Sequence, residues 1–166
     1  MKQVVICGVM ALVLSACVRA ETLEHGPTGL HLNVPAGWEH KVDGDLLVVS
    51  NPAGDVVLLV FVGTDGSGKD FVQHIVKELE HLVKNPVVTK GPNTEKVNNL
   101  TQDYIEGTGK LLETDKWIPK GEKAGETVDW DLTLATGGKE PLVVAAFGKL
   151  HDNQKVLEAV YASIKK

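Results

Sequence analysis

The sequence predicts an α+β domain: a mainly antiparallel sheet of about six strands, one central long helix and one C-terminal helix. Three observations carry that expectation. Short apolar runs separated by Pro/Gly turns recur between Gly29 and Val62, and again between Thr127 and Phe147. One segment, Phe71 to Lys84, keeps its apolar residues on a single helical stripe. A second such segment, Asn153 to Lys166, closes the chain.

The N-terminus is read first as an export signal. Lys2 gives a positive start, Val4 to Leu14 is apolar, and Leu14-Ser15-Ala16-Cys17 follows. That apolar run is far below the ~20 residues a bilayer span needs. A charged start, a short apolar core and small residues make a secretory signal. Leu-Ser-Ala-Cys also resembles a bacterial lipobox, which would put the signal peptide at 1–16 and make Cys17 the lipidated first residue of the mature chain. The alternative is ordinary cleavage after Ala20. On either reading no disulfide is left in the folded part, since Cys7 and Cys17 are the two cysteines.

Residues 17–28 read as a polar tether, and 29–166 as one domain. Leu30, Leu32 and Val34 alternate with His31 and Asn33, the pattern of a half-buried strand. Leu46 to Val49 is a second strand, and Asn51-Pro52-Ala53-Gly54 turns the chain into Asp55 to Val62, a continuous apolar run suited to burial on both faces. Short connections between these three argue for an antiparallel meander. From Phe71 to Lys84, Phe71, Val72, Ile75, Val76, Leu79, Leu82 and Val83 share one helical face, Asp70 is placed as N-cap, and Asn85-Pro86 reads as the stop. Val87 to Thr89 is a short strand and Leu100 to Leu112 a weaker extended region. Glu113 to Glu126 reads as a long polar loop. In Thr127 to Thr136, Val128, Trp130, Leu132 and Leu134 face inward while Asp129, Asp131 and Thr133 face water; Leu142 to Phe147 follows as another apolar strand.

A strand ending in Val34-Pro35-Ala36-Gly37-Trp38, the meander, one long helix, paired strands and a closing helix ending in Ser163-Ile164-Lys165 together resemble the PsbP-like superfamily. That group includes bacterial DcrB-like envelope lipoproteins and the Ran-binding Mog proteins. The resemblance covers about Gly29 to Lys166. It implies an α/β/α sandwich and a role in binding or assembly without catalysis, and it carries no catalytic residues over.

Charge narrows the function classes. The chain carries 17 Lys+Arg against 22 Asp+Glu, a formal charge of −5, and Arg19 is the sole arginine. An acidic fold without arginine is poorly suited to nucleic acid, where phosphate and base readout lean on Arg. Gly63 to Lys69 spells most of a phosphate-binding loop, but Asp70 stands where the Mg²⁺-binding hydroxyl belongs, so a glycine turn with an Asp cap is the expectation. His74, Glu78 and His81 share a helical face, yet the two histidines are about 10 Å apart along the axis, too far for one ion without outside ligands. Asp129 and Asp131 side by side are explained by one wet face of a strand. Ser50, Ser67 and Ser163 lie in no Gly-x-Ser-x-Gly elbow. The sequence thus predicts no catalytic residue, no cofactor, no metal, and no nucleotide or nucleic-acid partner.

Trp117 and Ile118 stand apart. They sit among Asp115, Lys116 and Lys120, where large apolar side chains have no evident packing partner. Exposed Trp and Ile are typical interface anchors, so they are the candidate partner-binding residues; the competing reading has Trp117 folding back to cap the sheet. The function expected is that of a non-enzymatic envelope lipoprotein, held to the outer membrane by its lipid anchor alone, that binds a protein partner or supports assembly. An exported metal- or nucleotide-dependent enzyme and a small-ligand carrier are the alternatives. A pocket between sheet and helix would favour the carrier.

Overall fold

The structure is a computed structural model that describes residues 20–63, 77, 79–112 and 117–166. The described strands are β1 (Glu21–His25), β2 (Leu30–Val34), β3 (Glu39–Asp43), β4 (Leu46–Ser50), β5 (Val56–Val62), β6 (Val83–Val97), β7 (Leu100–Leu111), β8 (Thr127–Thr136) and β9 (Leu142–Gly148). The closing helix α1 runs from Leu150 to Ala162. Strands β3 to β9 make one sheet in the order β3-β4-β5-β9-β8-β7-β6, and β1 and β2 pair separately. Every pairing is antiparallel.

The sheet buries both faces. On one side, Val56, Leu58 and Val60 of β5 and Leu142, Val144 and Ala146 of β9 pack with β2 and with Leu157, Val160 and Tyr161 of α1. On the other, Val57, Leu59, Val143, Ala145 and Phe147 pack with Leu79, Val83, Trp130 and the loop residues Trp117 and Ile118. The continuous apolar run of β5 is therefore a two-faced interior strand, as its composition implied.

Several expectations are corrected. Among the described residues the sheet has seven strands, not about six. The supposed tether contains β1, which pairs with β2 from Glu21↔Val34 to His25↔Leu30 and buries Leu23 and His25. His25 joins Thr28 Oγ1 at 3.1 Å and the Asp45 carbonyl at 2.8 Å, so its polarity is satisfied inside. Strand β3 was not anticipated because all five of its residues are exposed and leave no apolar alternation to read. Gly44, at φ 64, makes its tight return into β4.

The expected central helix does not reach Lys84. Lys77 and Leu79 are helical, Leu82 N–H donates to the Leu79 carbonyl in a turn, and Val83 already opens β6. Asp70 and Phe71 to Val76 lie outside the described residues. Asn85-Pro86, read as a stop, falls inside β6, which also contains Gly91-Pro92. β6 is an edge strand with register shifts between Lys84 and Val87, Val88 and Lys90, and Lys90 and Asn93. Proline and bulges are tolerated on an edge, where a missing N–H breaks no second ladder. The short strand at 87–89 is thus part of a fifteen-residue one.

The outer face assigned to β8 is likewise not wet. Asp131 and Thr133 are buried, and only Asp129 of that row is exposed. α1 covers them, which a single strand's alternation could not reveal.

Candidate functional site

Alternation along β7 sends Gln102, Tyr104 and Glu106 to the face that α1 covers, while Ile105 and Leu111 join the opposite core. Neighbouring β8 adds Asp131 and Thr133 to that same covered face, in register with β7 through Glu106↔Asp131 and Tyr104↔Thr133. Edge strand β6 brings Lys90 opposite Glu106. α1 lies over this polar strip with Leu157, Val160 and Tyr161 buried.

The end of α1 is fastened by the strip itself. Gln102 Nε2 donates to the Tyr161 carbonyl at 3.1 Å, and Asn98 Nδ2 donates to the Ala162 and Ile164 carbonyls at 2.9 Å each. Helix C-terminal carbonyls lack intrahelical partners, so these amides fix where α1 stops.

Between α1 and β6–β8 the surface sinks into a two-lobed groove of about 360 and about 400 Å³. Lys90, Tyr104, Glu106 and Gln154 belong to both lobes. Asp129 and Asp131 lie in the first lobe, and Glu95, Glu158 and Tyr161 in the second.

The groove's groups form a bonded network. Lys90 Nζ donates to Glu106 Oε1 at 2.7 Å, and Tyr104 Oη donates to the same oxygen at 2.9 Å. The Lys90 ammonium stands 5.9 Å from the centre of the Tyr104 ring, within cation–π range. The Tyr104 and Tyr161 rings are tilted with centroids 6.1 Å apart. Tyr161 Oη donates to Asp131 Oδ1 under the helix.

These contacts set the charges. Burial pushes the Asp131 carboxyl up to about 7, against the Tyr161 hydrogen bond and with Glu106 adding to the rise. Burial also works against ionised Glu106, but the hydrogen bonds from Lys90 and Tyr104 outweigh it and its carboxyl sits below the usual range. Burial and the nearby carboxylates hold both tyrosine hydroxyls protonated, Tyr104 and Tyr161 alike titrating well above the ordinary phenol.

No protein-family model matches the sequence, and no curated protein sequence does. Solved structures do match in shape. The cyanobacterial PsbP (CyanoP) from Synechocystis sp. PCC 6803 superposes with a TM-score of 0.54 over 96% of this chain and 96% of its own, at 10% identity. LpqN, described as involved in cell envelope biogenesis of Mycobacterium tuberculosis, superposes with a TM-score of 0.55 over 89% of this chain and 90% of its own, at 11% identity. The fold is PsbP-like.

Within this PsbP-like fold the structure places some of the candidates read from the sequence. Trp117 is half-buried with its ring tilted on Phe147, centroids 4.7 Å apart, and Ile118 packs on the same cluster. That is the capping arrangement for Trp117. The loop behind them is tied down, since Lys120 N–H donates to the Gly54 carbonyl at 2.7 Å and Glu126 O accepts from Leu111 N–H at 3.1 Å. Cys17, the glycine loop from Thr64 to Asp70, His74 and Glu78 lie outside the described residues. His81 is exposed, and among the described residues no group of three His, Cys, Asp or Glu is placed to hold a metal. Among those residues no helix is long and apolar enough to cross a membrane.

Lys90, Tyr104, Glu106 and Tyr161 were not singled out as site residues from the sequence. The signal that existed was the alternation Gln102, Tyr104, Glu106, with every second residue able to hydrogen-bond. A strip of that kind facing a covered side calls for internal partners.

Proposed function

We propose that this protein is an exported, non-enzymatic envelope protein that acts by binding a partner or supporting assembly, anchored to the outer membrane through Cys17. The observation that carries the binding reading is the pair Trp117 and Ile118, two adjacent large apolar side chains left half-exposed. The envelope setting is supported by the leader from Lys2 to Cys17 and by a fold shared with LpqN, whose description places that protein in envelope biogenesis. The half-exposed edge of Trp117 and Ile118, on the face opposite α1, is the surface assigned to a protein partner.

Site-specific photo-crosslinking in intact cells tests it. A crosslinker at Ile118 should yield one discrete heavier species, and the same group at exposed Ala124 should not. Equal, diffuse products at both positions would refute a specific partner at this edge.

A second reading, a small-ligand carrier, is favoured by one specific observation: the groove of about 360 and about 400 Å³ between sheet and helix. Pockets of a few hundred Å³ are of the size that takes small molecules.

A further inference from the structure

We propose that the groove under α1 is a binding site for a small aliphatic diamine or polyamine, one ammonium seated between Glu106, Asp131 and the Tyr104 ring and a second in the neighbouring lobe. The inference rests on the carrier reading and is independent of the partner surface at Trp117 and Ile118.

Charge makes the first argument. Among the described residues the two lobes bring together five carboxyl groups, Glu95, Glu106, Asp129, Asp131 and Glu158, against Lys90 as their one lysine. A concave, partly desolvated surface of one sign concentrates the opposite sign within it. The aromatic wall makes the second. Tyr104 already shows an ammonium beside its ring, since Lys90 Nζ stands 5.9 Å from its centroid while bonded to Glu106 at 2.7 Å. A carboxylate together with an electron-rich ring face is a cation seat, and here the chain's own lysine demonstrates the mode. Lys90 enters from an edge strand with its side chain 58% exposed, so it can swing to solvent and yield the seat.

Shape makes the third argument. The lobes share Lys90, Tyr104, Glu106 and Gln154, and each adds its own acids: Asp129 and Asp131 in one, Glu95 and Glu158 in the other. Two acidic compartments divided by a common wall suit a ligand with a positive charge at each end and an apolar spacer between. The combined space suits a small molecule.

Protonation follows from the same geometry. Asp131 accepts from Tyr161 of α1 and lies in register with Glu106 of β7; His151 of α1, Tyr104 of β7, Lys90 of β6 and Asp129 of its own strand line the same lobe, and Glu158 of α1 lines the neighbouring one. Burial holds its carboxyl up to about 7, so at neutral pH it is only partly ionised. An ammonium beside it favours the ionised form and displaces the proton where one is bound, so affinity should rise with pH through about 7.

Calorimetric titration of the full-length protein in detergent with cadaverine and spermidine tests this, with 1,5-pentanediol as the uncharged counterpart of cadaverine. Both amines should saturate one site and the diol should not bind. Glu106→Gln and Asp131→Asn should each weaken cadaverine by about tenfold or more, and Asp131→Asn should remove the pH dependence. Lys90→Ala, a change at a side chain 58% exposed, should tighten binding several-fold by removing the internal competitor. No saturation by either amine up to about 10 mM, equal binding of the diol, or weaker binding by Lys90→Ala would each overturn the amine site. Saturation by the diol with no binding of the amines would leave a carrier of another ligand class, separating this failure from that of the carrier reading.

Discussion

At the scale of single residues the buried carboxyl of Asp131 sets a pH dependence of stability in the acid-to-neutral range. Its folded-state value is raised to about 7 from 3.8, so across that window the folded chain holds a proton that the unfolded chain releases. Stability therefore falls as pH rises from about 4 to about 7, by a few kcal/mol at most. Asp131→Asn keeps the shape and removes the titration. Denaturant midpoints taken at pH 5 and pH 8 should show the wild type losing stability across the interval and the variant losing less. A variant with the same slope would place the titration elsewhere. Gly107 offers a second single-residue test. A Cβ there would meet the Val87 carbonyl at 2.1 Å and the Trp130 ring at 2.2 Å, so the indole of β8 lies directly over this glycine. Neither backbone nor a fully buried ring can retreat, and Gly107→Ala should cost ~3 kcal/mol, read as a lowered urea midpoint. A loss below ~1 kcal/mol would mean that the Trp130 ring does not sit there.

At the scale of elements, what covers each face of the sheet matters more than what the strands contain. α1 covers one face through Leu157, Val160 and Tyr161, and its last carbonyls are held by Gln102 and Asn98. The opposite face is closed near Phe147 by Trp117. Because that ring is half-buried on the core, Trp117→Ala should lower stability by ~2–3 kcal/mol, while Trp117→Phe should recover most of it. Chemical unfolding of the two variants checks this. A midpoint unmoved in Trp117→Ala would leave the ring with an interface role alone.

At the scale of the whole molecule, the sheet has two edges with different protection. β3 is short and wholly exposed, and β6 is long but broken by bulges and by Pro86 and Pro92. Both devices discourage edge-to-edge pairing with other chains. The stretch from Lys2 to Cys17 adds a prediction of cellular placement. Labelled palmitate should enter the wild-type protein, and Cys17→Ala should abolish labelling and release the protein from the membrane fraction or block its processing. A mature N-terminus at Glu21 by mass spectrometry would exclude lipidation and leave ordinary cleavage after Ala20.

The sequence by itself determined those features whose cause lies within a few residues. β2, β4, β5, β8 and β9 were legible because each buries apolar side chains at a spacing the eye can count, and α1 because its stripe repeats at helical period. The PsbP-like fold was legible from their order. Features whose cause lies far along the chain were not. β1 forms only because β2 stands beside it, and β6 keeps its prolines only because it came to lie at an edge. The groove is the clearest case. Asp131 reads as solvent-facing beside Asp129, and Tyr161 reads as one more apolar residue of a helix. Their hydrogen bond joins positions thirty residues apart. Only the docking of α1 across β7 and β8 turns a strand's polar row into a desolvated, acidic, aromatic-walled groove, because burial depends on what lands on a face and no strand encodes its own cover.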